Sequence, residues 1–142
     1  MAELALDDDH RCFVCGEKNP DGLGIRFQYP EKGRCRAEFI PPTKFQGWQG
    51  ILHGGIIAAI LDEAFAHAFG GLARGAGETA VTAEMTVKFK KPVRIGFKAI
   101  LEGRVLGENG RVIECESFLR DEAGMELAAA TGKLIKIRKN AG

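Results

Sequence analysis

The 142-residue sequence predicts an α+β domain: one long central helix wrapped by a curved, mostly antiparallel sheet of five or six strands. Three observations carry this. One segment alone has the length and composition of a long helix. Strand-like runs broken by turn signals fill most of the remainder. No repeated strand–helix alternation points to a parallel sheet.

A chain of this length makes one domain with a sizeable core. Hydrophobic residues at 45% and charged residues at 27% are an ordinary globular balance. A formal net charge of +1 gives no reason to expect a nucleic-acid partner. Asp62 and Glu63 interrupt the longest apolar run, so no membrane span is expected. The N-terminal MAELALDDDH is acidic and lacks the basic start and long apolar stretch of a signal peptide. The expectation is therefore a cytoplasmic protein whose four cysteines are reduced.

In chain order, residues 1–22 read as an N-terminal arm with a CxxC turn and residues 23–142 as the main domain. GIRFQY (24–29) and RCRAEF (34–39) flank the turn PEKG and suggest a hairpin. Residues 54–69 form the predicted helix. After its opening Gly54 and Gly55 it contains no Gly or Pro, it is rich in Ala, Ile and Leu, and Gly70 and Gly71 are expected to close it. Its apolar residues do not keep to one stripe, which calls for wrapping by other structure. GGLARGAGET (70–79) reads as a loop. Further strands are expected at 79–90, ending before Pro92, and at 97–106, 111–120 and 125–137, with turns at Asn109-Gly110 and in DEAG.

A Gly-flanked helix inside a long curved sheet resembles the hot-dog fold. FQGWQGILHGGIIAAILDEA (45–64) and VTAEMTVKFKKPVRIG (81–96) are similar to the acyl-CoA thioesterases of that fold, especially the phenylacetate-pathway (PaaI-like) type. In that family a His-Gly-Gly opens the helix and an acid follows nine positions after the His, the spacing of His53 and Asp62 here. The resemblance, covering roughly residues 45–137, implies hydrolysis of an acyl-CoA or aryl-CoA thioester. Coenzyme A enters only as part of the substrate, with no redox cofactor and no required metal. It also implies a homodimer, with dimers pairing further, whose acid and Gly N–H come from opposite subunits.

Thioester hydrolysis needs a nucleophile or base and a donor for the developing oxyanion. Asp62 is the candidate acid, because an apolar setting makes a carboxylate more basic and less solvated; the bland alternative is a buried acid pairing with an Arg or capping a loop. Gly54 and Gly55 lie where free helix N–H groups carry partial positive charge, although a Gly pair at a helix start is commonly just that. The resemblance assigns the oxyanion role to Gly54. His53 is expected to shape the loop. Glu63 stands four residues before His67, and a bond between them explains both without catalysis. Thr82 aligns with a family position that often carries a hydroxyl and would orient water; its alternative is a plain strand Thr.

Several family members carry Asn or Gln six residues before the His, where this chain has Gly47; Gln46 and Gln49 are the neighbouring candidates to replace it. Lys88, Lys90, Lys91 and Arg94 surround Pro92 and are candidate partners for the phosphates of coenzyme A, against a solvated strand face. Trp48 and Phe65, with Phe69, are candidates for an acyl or aryl pocket, against plain core. Cys12 and Cys15 have metal-ligand spacing, with His10 and Cys35 as possible completing ligands. A structural zinc commonly takes two close pairs, and no second CxxC is present. The expectation is a tight turn in an arm that packs on the body, without metal. Two rivals to the thioesterase reading are a non-catalytic acyl-CoA-binding domain, left open by Gly47, and a hot-dog dehydratase, whose longer His-containing signature is absent.

Overall fold

The computed structural model describes residues 6–73 and 78–138. Within them, five strands and one long helix form the expected α+β arrangement: β1 (Arg34–Phe39), α1 (Gly54–Ala73), β2 (Glu78–Phe89), β3 (Ala99–Asn109), β4 (Val112–Asp121) and β5 (Glu126–Arg138). The strands make one antiparallel sheet in the order β1-β3-β4-β5-β2. A short 3-10 turn at Thr43–Phe45 leads towards the helix.

The helix packs against all five strands. Ile57, Ile60, Leu61, Ala64, Phe65, Ala68 and Phe69 are buried, repeating every three to four residues along the side that faces the sheet. The opposite side is less covered: Ile56, Ala58 and Ala59 are half-buried and Ala66 is exposed. The helix thus has one buried stripe, where the sequence predicted wrapping on every side. It also continues through Gly70 and Gly71 to Ala73. Gly70 does not adopt the left-handed conformation of a helix cap, and burial of Ala68 and Phe69 against the sheet carries the helix past the glycines. The predicted loop therefore contracts; residues 74–77 lie outside the described residues, and Glu78 already belongs to β2.

Two glycines set how closely the sheet wraps. A Cβ on Gly103 of β3 would lie 2.5 Å from the Ala64 carbonyl oxygen, and one on Gly132 of β5 would lie 2.5 Å from the Phe65 ring. The side chains nearest this contact are tied to helix carbonyls. Ser117 Oγ donates to Leu61 O at 2.9 Å and Cys35 Sγ to Ala64 O at 3.1 Å.

The predicted strand 24–29 forms only a single rung, Gln28 opposite Arg36. Gly24 takes φ 63°, and the neighbouring amides turn to the arm instead: Leu23 N–H donates to Phe13 O and Ile25 N–H to Val14 O. The β3–β4 hairpin is tighter than predicted. Asn109 pairs with Val112, so Gly110 (φ 63°) and Arg111 make the turn. β2 forms one end of the sheet, as expected for 79–90, and its open edge is the feature that invites pairing.

Gly132→Ala should destabilise the fold by about 1–3 kcal/mol, since Phe65 and the Glu84 carbonyl leave no room for a methyl group. Gly107→Ala, with nothing near its Cβ position, should stay within about 0.5 kcal/mol. Chemical denaturation of the two variants checks both.

Candidate active site

The loop before the helix is held by its own backbone. Gly47 N–H donates to Ile51 O, Leu52 N–H to Val93 O and His53 N–H to Phe45 O. His53 caps the helix: its Nδ1 accepts the Gly55 N–H at 2.8 Å, which leaves the ring proton on Nε2. Gly55 sits tightly under the ring: a Cβ there would lie 3.0 Å from that Nδ1, so a side chain would push against the cap. The Gly54 N–H, first in the helix, meets no acceptor among the described residues and carries the positive end of a 20-residue helix.

Gly54 opens onto a cavity of about 670 Å³ lined also by Trp48, His53, Phe89, Lys90 and Lys91. Trp48 stands 86% exposed at this cavity. Pro92 and Val93 join it to a second cavity of about 440 Å³, where Arg94, Phe97 and Met125 stand. Lys90 pairs with Glu126. Gly47 lies against His53: a Cβ there would be 3.3 Å from the His53 Cα. Gln46 Oε1 braces the loop by accepting the Gly50 N–H, and Gln49 is exposed and outside both cavities. Phe65 is fully buried in the core against Gly132, so it does not line a pocket. Its position on the sheet-facing stripe decides that, and Phe69 shares it.

Asp62 lies eight residues further along α1 and is absent from the cavity that Gly54 lines. It is half-buried, less enclosed than the sequence suggested. Thr82 Oγ1 donates to its Oδ1 at 2.6 Å, a charge-assisted bond that fixes one carboxylate oxygen. Thr82 sits on β2 beside a bulge: Thr82 pairs with Leu134 and Glu84 with Lys133, leaving Ala83 unpaired. Such bulges re-aim side chains. The bulge escaped the sequence reading, since the alternation of VTAEMTVKF (81–89) runs through it unbroken.

Glu63 has a different environment. His67 Nε2 lies 3.2 Å from its Oε1, the pairing expected from the i, i+4 spacing. Cys15 Sγ donates to the same oxygen at 3.0 Å and Cys12 Sγ at 3.5 Å. Burial alone would push the Glu63 carboxyl up, but the bonds from His67 and Cys15 and the charge of His67 outweigh it and hold it below the usual carboxylate range. The two ligands proposed from sequence to complete the cysteine pair have other partners. Cys35 is bonded to Ala64 O, and His10 Nδ1 faces Asp8.

The profile of the Thioesterase superfamily matches residues 49–128. A provisionally named esterase of Saccharolobus solfataricus is 32% identical over 117 residues, 82% of this chain and 76% of that protein. The acyl-coenzyme A thioesterase THEM4 of Bos taurus is 29% identical over 122 residues, 82% of this chain; the chain spans 48% of that relative's length. Among solved structures, the PaaI protein of the E. coli phenylacetic acid degradation operon superimposes with a TM-score of 0.73 at 21% identity, covering 81% of this chain and 80% of that one. A Streptococcus mutans protein bound to acetyl-CoA gives 0.69 at 21% identity, covering 81% and 91%. The fold is the hot-dog fold, and the chain belongs to the thioesterase superfamily and is a thioester hydrolase.

His53→Ala should cost about 0.5–2 kcal/mol of stability by removing the helix cap, and His53→Asn should recover most of it. Urea unfolding of the pair distinguishes capping from any other role of the ring.

Proposed function

We propose that the protein hydrolyses an acyl-CoA or aryl-CoA thioester at a site shared by two protomers. The supporting observation is the separation of the two halves of the machinery. The Gly54 N–H opens onto a cavity that Asp62 does not reach, and Asp62 is bonded to Thr82 on the open-edged strand β2. Eight residues of helix rise span about 12 Å, too far for both groups to act on one thioester carbon. Two-fold pairing along β2 joins the two sheets and carries Asp62 and Thr82 of one chain to Gly54 of the other.

In this mechanism the Gly54 N–H donates a hydrogen bond to the thioester oxygen as it becomes an oxyanion, reinforced by the helix dipole. Asp62 attacks the carbonyl carbon directly or takes a proton from the attacking water, and Thr82 fixes its carboxylate. Direct attack expels the coenzyme A thiolate and leaves an anhydride on Asp62, which water then hydrolyses to the free acid and Asp62; on the base route the water oxygen bonds to the carbonyl carbon, the C–S bond breaks, and the proton taken by Asp62 passes to the departing thiolate. His53 caps the helix and keeps the Gly55 N–H occupied, so the Gly54 N–H remains for the substrate. Trp48 and Phe89 border the apolar acyl or aryl group. Lys90, Lys91 and Arg94 line the two adjoining cavities and meet the coenzyme A phosphates. The relatives named as acyl-CoA thioesterases and the neighbour holding acetyl-CoA support this substrate class.

Asp62→Asn keeps the side-chain shape and removes the base, so kcat against a panel of acyl- and aryl-CoA esters should fall by about 10²–10⁴-fold with little change in melting temperature. Retained turnover in that variant would remove Asp62 from the mechanism. Absence of turnover by the native chain across the whole panel would favour the binding-domain reading.

Subunit mixing tests the sharing. At Gly54→Leu the Cβ has ordinary room, with a Phe89 carbon at 3.7 Å, and the rest of the side chain extends at the cavity the Gly54 N–H opens onto and blocks the carbonyl's approach; circular dichroism confirms that the variant is folded. Asp62→Ala and Gly54→Leu chains, each inactive alone, should regain activity when unfolded and refolded together, since one site of each mixed dimer is intact. Persistent inactivity in verified mixed dimers would refute a shared site.

A further inference from the structure

We propose that Cys12, Cys15 and Glu63 form a zinc site that clips the N-terminal arm onto helix α1. The ligand atoms of the three residues already lie within 4.8 Å of one another. Zinc bonds of about 2.3 Å to sulfur and about 2.1 Å to oxygen, at a tetrahedral angle, hold S and O about 3.6 Å apart. The Cys12 Sγ–Glu63 Oε1 distance of 3.5 Å meets that spacing, and the Cys15 distance of 3.0 Å needs to open by about 0.6 Å. Two thiolates with one carboxylate suit a soft divalent cation, with the fourth place left to solvent.

The loop that carries the sulfurs is built for the purpose. Gly16 N–H donates to Cys12 O at 2.8 Å, closing the turn through Cys15. Position 16 admits only glycine, since a Cβ would lie 2.4 Å from the Cys12 nitrogen and 2.6 Å from its carbonyl oxygen. Val14, between the two cysteines, is buried in the core and fixes the loop against the body. Lys18 N–H donates to His10 O and Asn19 Nδ2 to Arg11 O, which tie the loop's two ends together.

The carboxylate has the outer support that metal-binding groups require. His67 Nε2 bonds to the Glu63 oxygen, its Nδ1 bonds to Tyr29 OH at 2.7 Å, and the Phe27 ring stacks on it at 3.9 Å between centroids. This chain of contacts orients the carboxylate towards the sulfurs. Both thiols give up their protons to a bound cation, which offsets the three adjacent negative groups.

The full chain, expressed with zinc and purified in reductant without chelator, should carry about one zinc per chain by elemental analysis and native mass spectrometry. Stripping the metal should lower the melting temperature by several degrees, and zinc should restore it. Cobalt(II) added to the stripped protein should give sulfur-to-cobalt charge-transfer absorption, which reports thiolate ligation directly in the wild-type chain. Cys12→Ser with Cys15→Ser should abolish that absorption and reduce bound zinc to a small fraction. His67→Gln should keep the stoichiometry and weaken affinity by about 10–100-fold. The proposal is overturned if the reduced wild-type chain takes up neither zinc nor cobalt, if the double-serine variant binds zinc like the wild type, or if the cysteines emerge from reducing purification as a disulfide.

Discussion

Contact between the helix backbone and the sheet is the constraint on which the rest of this structure depends. At Gly103 and Gly132 the sheet comes so close to α1 that no β-carbon fits. Large residues on the helix fill the space beside these gaps: Phe65 lies over Gly132, and Ile57, Ile60 and Leu61 are buried along the same side. Close packing converts this approach into a fixed position for α1. Ser117 and Cys35, bonded to successive turns of helix carbonyls, add directional ties to a contact that is otherwise non-directional. A helix held this firmly is a rigid base for chemistry at its start and along its flank.

Asp62 and Glu63 are neighbours in sequence, yet about 100° of helix rotation separates their directions. That rotation takes Asp62 to Thr82 on the edge strand and Glu63 to the cysteines of the arm. Buried or half-buried carboxylates are costly without partners. Each acid has found its own kind: among the described residues, a single hydroxyl on one oxygen of Asp62, against three donors converging on one oxygen of Glu63. The first arrangement suits a group that reacts, the second a group that is held.

The start of the helix divides its work in the same way. His53 takes one amide and Gly54 keeps another open to the cavity. Gly47 allows the loop to pass close to His53. An Asn or Gln at that place would press on the residue that caps the helix.

The sequence by itself determined what depends on near neighbours. Apolar composition and flanking glycines marked the helix from Gly54, and alternation and turn residues marked β1 to β5, whereas His53 and Asp62 were singled out by resemblance to a family pattern. Glu63 and His67, four residues apart, were legible from that spacing. Tertiary structure decided everything that joins distant segments. Helix length past Gly70, the core position of Phe65 and the failure of 24–29 to extend its ladder all follow from what packs against them. The bond from Thr82 to Asp62 crosses 20 residues of sequence, and those from Cys12 and Cys15 to Glu63 cross 51 and 48. Spacing within CxxC shows a pair of sulfurs, but no local pattern points to a carboxylate so far away. Only the sheet's grip on α1 and the burial of Val14 bring that carboxylate to the loop.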